Sequence, residues 1–406
     1  MKRYKLVIEM GDSDGPGTGG KKRSSQRTTP SGSPKSDRSL KSRPEATEND
    51  ATNEQNQGLL HGNTQIDPGG SDEDGEFSAS SVTFSETSSF QTSLDDEGLG
   101  DEDDDSDGSM SVRTSIYEHS YANGRRYHRY RHGRYPIPND ETEQTREDIL
   151  HTMMLEATDG RLYYSPLDED RVQKIIDLGT GTGLWAIEMG EMFPGADIMG
   201  LDLSPIQPPW VPPNVKFYVD DVEASWLNGD NFDFVHLRNM VPILKDPVKV
   251  LRQALEHMRP GAWVELQDVD GDVHTDDNSV PEDWPLKRFT EYLLKAFAEF
   301  GTDAHAAVFG GQYLRDAGFI NIRHNYIKLP YGTWPKDKVM RLVGMYYRTA
   351  CEEFFPAVGA MHFPLLGWTR PEIEVFFAEC RKSMRDPAVH AYGKMHFWSG
   401  QKPPED

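Results

Sequence analysis

Lys174-Ile175-Ile176-Asp177-Leu178-Gly179-Thr180-Gly181-Thr182-Gly183 is the stretch that decides the fold: a short apolar strand runs into three alternating glycines, and a helix reads from Leu184 to Phe193 directly after them. A turn without β-carbons at the carboxyl end of a strand lets a ligand lie against bare backbone. The next strand, Asp197-Ile198-Met199-Gly200-Leu201-Asp202, ends on an acid about twenty residues past the glycines, the separation at which doubly wound sheets hold a ribose. Together these features predict a nucleoside cofactor.

Dinucleotide folds use Gly-x-Gly-x-x-Gly to face a pyrophosphate with a helix amino terminus. Here the loop reads Asp-x-Gly-x-Gly-x-Gly, and an acid at its opening suits a cationic ligand better than a phosphate. With this pattern the chain resembles the class I S-adenosylmethionine-dependent methyltransferases. The resemblance continues in order through Val215-Lys216-Phe217-Tyr218-Val219-Asp220-Asp221-Val222-Glu223, Phe232-Asp233-Phe234-Val235-His236 and Met258-Arg259-Pro260-Gly261-Ala262-Trp263-Val264-Glu265. A closer similarity, to the LaeA-like methyltransferases of filamentous fungi, rests on Asn123-Gly124-Arg125-Arg126-Tyr127-His128, Pro138-Asn139-Asp140-Glu141, Glu143-Gln144, Asp202-Leu203-Ser204-Pro205-Ile206-Gln207-Pro208-Pro209 and Gly261-Ala262-Trp263-Val264-Glu265. It covers about residues 117 to 403.

The resemblance implies an α/β, Rossmann-like fold with a seven-stranded sheet whose last strand is antiparallel, and S-adenosylmethionine as cofactor. It implies a role in fungal secondary metabolism, as a methyltransferase acting on a small-molecule or protein acceptor or as a nuclear regulator working through protein partners. In the family's pattern Asp177 takes the cofactor's amino group, and Gly179, Thr180, Gly181 and Gly183 give close backbone approach. Asp202 with Leu203 takes the ribose, and Asp221 with Val222 the adenine. Tyr127 and Tyr130 either close over the cofactor or pack as ordinary aromatics.

The chain has 406 residues and a formal net charge of −24. Residues 1–116 are dominated by Ser, Thr, Gly and charged side chains, too poor in aliphatics to offset the entropy of ordering, so a disordered acidic tail is expected there. A cap segment over 117–165 and one methyltransferase domain over 166–406 complete the expected organisation. Much of the negative charge sits between Asp95 and Asp107, a solvating run or an interaction tail. Beside it, Arg125 to Tyr135 alternates basic and aromatic residues, a pattern able to bind nucleic acid, although the family places it at the entrance of the cofactor domain and nucleic acid ranks last among partners. Lys21-Lys22-Arg23 and the same basic stretch are candidates for nuclear import.

Cys351 and Cys380 fall in helical patterns, outside any metal spacing, and read as core. No apolar run is long enough to span a bilayer and no secretory leader is visible, so a nuclear or cytoplasmic location and no membrane partner are expected.

Punctuation by glycine and proline sets the remaining elements. Asp246-Pro247 caps a helix through Met258. Helical insertions are expected over Trp284 to Phe300, Lys336 to Phe355 and Thr369 to Met384, the last opened by the capping box Thr369-Arg370-Pro371-Glu372. Strands are expected over Phe319 to Leu329 and His390 to Ser399, and the insertions are expected to form a lid over the substrate side.

Methyl transfer from a sulfonium is an in-line displacement that mainly needs positioning. Side chains at the carboxyl ends of the fourth and fifth strands face the ligand crevice in such sheets, which singles out His236, Arg238, Glu265, Gln267 and Asp268. His236 could act as a base toward an alcohol, amine or thiol, or be a structural histidine; Glu265 and Asp268 are further catalytic candidates. Asp268, Asp270 and His274 lack a recognised ligand spacing, so no metal is expected.

Overall fold

Residues 66–68, 119–122, 124–128, 137–359 and 363–405 are described by a computed structural model of the chain. They fall in the compact unit Asn56–Asp406. A hairpin, β1 (His119–Ala122) with β2 (Arg125–His128), precedes helix α1 (Glu141–Ala157). The expected tail over 1–116 lies outside the described residues except for Ile66, Asp67 and Pro68.

The main sheet has seven strands in spatial order β5 (Val215–Val219), β4 (Asp197–Asp202), β3 (Lys174–Leu178), β6 (Phe232–Arg238), β7 (Met258–Val269), β9 (Tyr392–Gln401) and β8 (Ile320–Pro330). Strands β5 through β7 run parallel, and β9 enters antiparallel between β7 and β8. Helices α2 (Leu184–Met192), α3 (Pro247–His257), α4 (Pro285–Phe300), α5 (Gly310–Ala317), α6 (Lys338–Gly359) and α7 (Arg370–Ser383) fill the connections.

Alternation along the strands divides the core. Ile175 and Phe234 meet Trp185 and Met189 of α2 on one face, while Ile176 and Val235 meet Val250 and Leu251 of α3 on the other. Farther along the first face, Ile327, Leu329, Met395 and Phe397 carry a third cluster in which Phe289, Phe355, Phe363 and Phe377 pack with Met153 and Met154 of α1. The helical insertions therefore brace α1 from behind. None of their residues lines the cavity at the glycine turn.

Helix starts follow local chemistry. Asp246 accepts from the Lys249 amide at 2.9 Å with Pro247 in the first turn. Thr369 and Glu372 close the expected capping box, Thr369 N donating to Glu372 Oε2 at 2.8 Å. Asp140 caps α1, accepting from the Glu143 amide, and is also gripped by Arg125, whose Nη2 lies 2.9 Å from Oδ1. Arg126 donates to Glu141 and to the Asn139 carbonyl. Both described arginines of the basic stretch are thus spent on holding the entry to α1.

Candidate cofactor site

The glycine turn leaves β3 with Gly179, Gly181 and Gly183 all at positive φ. Their missing β-carbons are needed for space as well as conformation: a Cβ on Gly179 would lie 2.1 Å from Met240 Sδ, and one on Gly181 2.6 Å from Glu147 Oε2. The turn is anchored from β4 and the loop beyond it. The amides of Gly179 and Thr180 donate to the Leu201 carbonyl, Gly181 N donates to Asp202 Oδ2 at 2.9 Å, and Gln207 Nε2 donates to the Gly181 carbonyl at 2.7 Å.

A cavity opens above this turn. Its walls are Gly179 to Thr182, Asp202 to Ser204, Asp220 to Glu223, Arg238 to Met240 from the end of β6, and one face of α1. Of the residues expected to bind cofactor, Thr180, Gly179, Gly181, Asp202, Leu203, Asp221 and Val222 all line it. Asp221 is buried, and its Oδ1 accepts from the Glu223 amide. Gly183 lies just past the lining, capping α2. Tyr127 is buried outside the cavity walls, and Tyr130 lies outside the described residues.

Asp177 is placed beneath the turn. Its Oδ2 accepts from Thr180 Oγ1 at 2.7 Å and its Oδ1 from His236 Nδ1 at 2.8 Å. The His236 ring is fully buried and stacks on Trp185, centroids 3.7 Å apart. Asp177, His236 and Glu265 are register partners across three adjacent strands, so all three side chains share the face covered by α2. Glu265 accepts from Tyr164 N, Ser165 N, Ser165 Oγ and Gln267 Nε2, clamping the chain before β3 onto the sheet. Asp268 faces the other side and accepts from Val241 N, its carboxyl pushed up to about 7 by burial. Asp270, held down to about 2 against its burial, accepts from His274 at 2.7 Å.

None of the catalytic candidates His236, Glu265 and Asp268 lines the cavity. The reason is strand length. Strand β6 continues to Arg238 and β7 to Val269, so His236 and Glu265 sit inside their strands rather than at the tips. Arg238 is the tip residue that does line the cavity, with its Nη2 3.0 Å from His151 Nδ1.

Sequence reasoning missed the wall contributed by α1. Glu147, Leu150, His151 and Met154 stand at i, i+3, i+4 and i+7 and so share one helical face. That spacing was the available signal, hidden because two of the four residues are polar. Burial pushes the Glu147 carboxyl up to about 8, with Glu143 and Asp202 adding repulsion. Burial also raises Asp202 to about 6 against the opposing pull of the Ser204 and Gly181 amides.

This chemistry fits S-adenosylmethionine. Five carboxylates, Glu147, Asp202, Asp220, Asp221 and Glu223, line the cavity against the two guanidinium groups of Arg146 and Arg238, a balance that favours a cation over a phosphate. The bare peptide bend lets Met240 and Glu147 approach it closely, and the raised carboxyls are groups whose ionised form a bound positive charge would stabilise. Among the described residues no group of three or more His, Cys, Asp or Glu side chains is placed to hold a metal. No helix of the described residues is long and apolar enough to cross a membrane.

A family model for a methyltransferase domain matches residues 149–317. Methyltransferase pytC of Aspergillus terreus is 38% identical over 295 residues, which cover 72% of this chain and 91% of that relative. Secondary metabolism regulator LAE1 of Cochliobolus heterostrophus is 34% identical over 292 residues, covering 69% of this chain and 94% of the relative. Protein-methionine methyltransferase laeA of Emericella nidulans is 35% identical over 298 residues, covering 72% and 78%. Among solved structures, phosphoethanolamine N-methyltransferase 2 of Haemonchus contortus is similar at 16% identity and a TM-score of 0.35, over 64% of this chain and 52% of that one. By these relatives and by the order of its motifs, the chain belongs to the class I S-adenosylmethionine-dependent methyltransferases, within the LaeA-like family.

Proposed function

We propose that the cavity over Gly179 to Gly183 binds S-adenosylmethionine and that the acceptor which meets it there is a methionine thioether of this chain, Met240. The observation that carries the cofactor reading is the carboxylate-lined cavity against the glycine bend. Asp202, already turned toward the Gly181 amide, would take the ribose hydroxyls, and Asp221 the adenine amino group. Glu147, abutting Gly181, would face the cationic end of the cofactor. When bound, the cofactor supplies a methyl group carried on a positively charged sulfur.

For the acceptor, the chain's residues narrow the chemistry. The side chains expected to act as bases are engaged with the backbone or buried behind the turn. Met240 needs no base: its sulfur packs against Gly179 at the cavity wall and carries no proton to remove. With the cofactor held by Asp202, Asp221 and Glu147, the methyl it would supply could be taken by a lone pair of the Met240 sulfur, which would become a sulfonium while the spent cofactor would leave as a neutral thioether. The name of the Emericella nidulans relative, a protein-methionine methyltransferase, supports this acceptor class.

A second reading, favoured by the relatives named as secondary metabolism regulators, is a nuclear protein that acts through protein partners. Incubation of the full chain with methyl-labelled cofactor and peptide mapping separates the possibilities. The expected result is one added methyl group on the peptide containing Met240, absent in Met240→Leu and in Asp202→Ala. Label found only on added small molecules would overturn the thioether reading, and absence of calorimetric cofactor binding would overturn the site itself. Partner capture that persists in Asp202→Ala would favour the regulator.

A further inference from the structure

Ile66, Asp67 and Pro68 stand against the domain although they lie about fifty residues before the first strand. Ile66 is buried to 8% exposure in a cluster of its own with Trp334 and Met340. The backbone is paired as well: Lys336 N donates to the Asp67 carbonyl at 2.9 Å, and Pro68 bridges Pro335 in antiparallel fashion. Lys336 Nζ adds a 3.0 Å contact to Asp67 Oδ2.

The receiving surface is built independently of the segment. Trp334 is fixed by Nε1 donating to the Ala391 carbonyl and by its ring lying 5.0 Å from that of His390. Met340 is held in the first turn of α6, where its amide donates to Asp337 Oδ1 at 2.9 Å. The result is an apolar socket with a lysine on its rim, whose backbone amide points at the Asp67 carbonyl. In the extended tripeptide the aliphatic residue fills the socket, the acid meets both the lysine and its amide, and the proline lies beside Pro335, in the manner of a peptide added to an exposed edge. Proline costs nothing here, because the bridge uses the neighbouring residues' groups for its hydrogen bond.

We infer that the socket of Trp334, Lys336 and Met340 is a docking site for a short aliphatic–acid–proline motif, filled within the chain by Ile66-Asp67-Pro68. The tail is thereby latched at one point to the start of α6. Ile66 supplies most of the attraction, because burying an aliphatic side chain outweighs an ion pair between two exposed groups. Three residues form a small interface, and the covalent connection compensates by raising the local concentration of the motif to the order of mM. Neither the cofactor cavity nor the acceptor enters this inference.

Amide hydrogen exchange on the full chain tests it, with the peptide covering residues 332–340 as reporter. Replacing Ile66→Glu is expected to speed exchange of the Lys336 amide about tenfold while leaving β9 unchanged. A labelled peptide of residues 62–71 should then bind the Ile66→Glu chain saturably and the wild-type chain more weakly, since the site there is already filled. Lys336→Glu should weaken that binding, and an Asp67→Lys peptide should restore it. Unchanged exchange at Lys336 in both Ile66→Glu and Asp67→Lys chains overturns the latch. So does binding of a scrambled peptide as strongly as the native order, or failure of the charge swap to rescue.

Discussion

Glu147 and Gly181 meet at the tightest point of the site, and the pair shows why single residues matter there. With φ of +56° at Gly181 and a Cβ position 2.6 Å from Glu147 Oε2, Gly181→Ala would combine a left-handed strain of roughly 1–2 kcal/mol with a displaced carboxylate. Calorimetry with S-adenosylmethionine should show at least a tenfold loss of affinity for that variant, and unchanged affinity would argue that the bend is not where cofactor lies. Glu147 also sets a pH dependence. Its folded pKa of about 8 lies above the ordinary 4.5, so the native state holds a proton that the unfolded chain releases. This stabilising contribution is full below pH 4.5 and is lost as pH rises toward 8. Without ligand the melting temperature should therefore fall across that window, and Glu147→Gln should flatten the slope. A cation beside Glu147 reverses the preference, so cofactor affinity should rise over the same range with release of a proton. Calorimetry in buffers of different ionisation enthalpy reads that release; in Glu147→Gln the remaining dependence should centre lower, on Asp202 near 6. At this scale Asp202 and Asp221 were legible because an acid at a strand end is a local signal. Glu147 was not, because its meaning depends on a helix brought in from another part of the chain.

Helix α1 is the element through which the rest of the molecule reaches the site. Its start is set by Asp140, which accepts both the Glu143 amide and the fork of Arg125. Removing the carboxylate in Asp140→Ala loses a cap worth about 1 kcal/mol and leaves a half-buried guanidinium without its partner. The expected outcome is a lower melting temperature together with weaker cofactor binding, since Glu147 and His151 ride on the same helix; Asp140→Asn, which keeps the cap, should recover part of the stability. Elements differed in how far they could be read. The strands β3 and β4 and the capping box at Thr369 were visible because glycine, proline and caps punctuate the chain there. The far ends of β6 and β7 were not, because nothing local stops a strand whose neighbours keep pairing with it; Leu237 and Arg238 continue the ladder against Leu266 and Gln267. That difference of a few residues places His236 and Glu265 within the ladder rather than at the strand tips. Asn123-Gly124, quoted above only as part of a family pattern, is also a hairpin signal, and β1 and β2 flank it.

Across the whole molecule, one aromatic cluster connects the helical insertions to the cofactor cavity. Phe289, Phe355, Phe363 and Phe377 pack around one another behind α1, with Phe289 and Phe355 centroids 4.8 Å apart. Met154 belongs to that cluster and also lines the cavity, and Leu150, another cavity residue, packs against it, so these two side chains of α1 touch both. Composition alone gave no hint of this coupling, because it depends on α6 lying along α1 after more than a hundred intervening residues. Phe377→Ala should cost about 3–5 kcal/mol, the range for emptying a buried aromatic site. If the cluster serves only stability, cofactor at a hundredfold excess over Kd would raise the unfolding free energy of Phe377→Ala as much as that of wild type, by about 2.7 kcal/mol. Because α1 loses its backing in this variant, the expectation is a smaller gain at the same cofactor concentration, reflecting a larger Kd. The conservative Phe377→Leu should restore both the midpoint and the ligand-dependent increment. Denaturant melts with and without S-adenosylmethionine make the comparison directly, and equal increments in wild type and Phe377→Ala would confine the cluster to holding the fold.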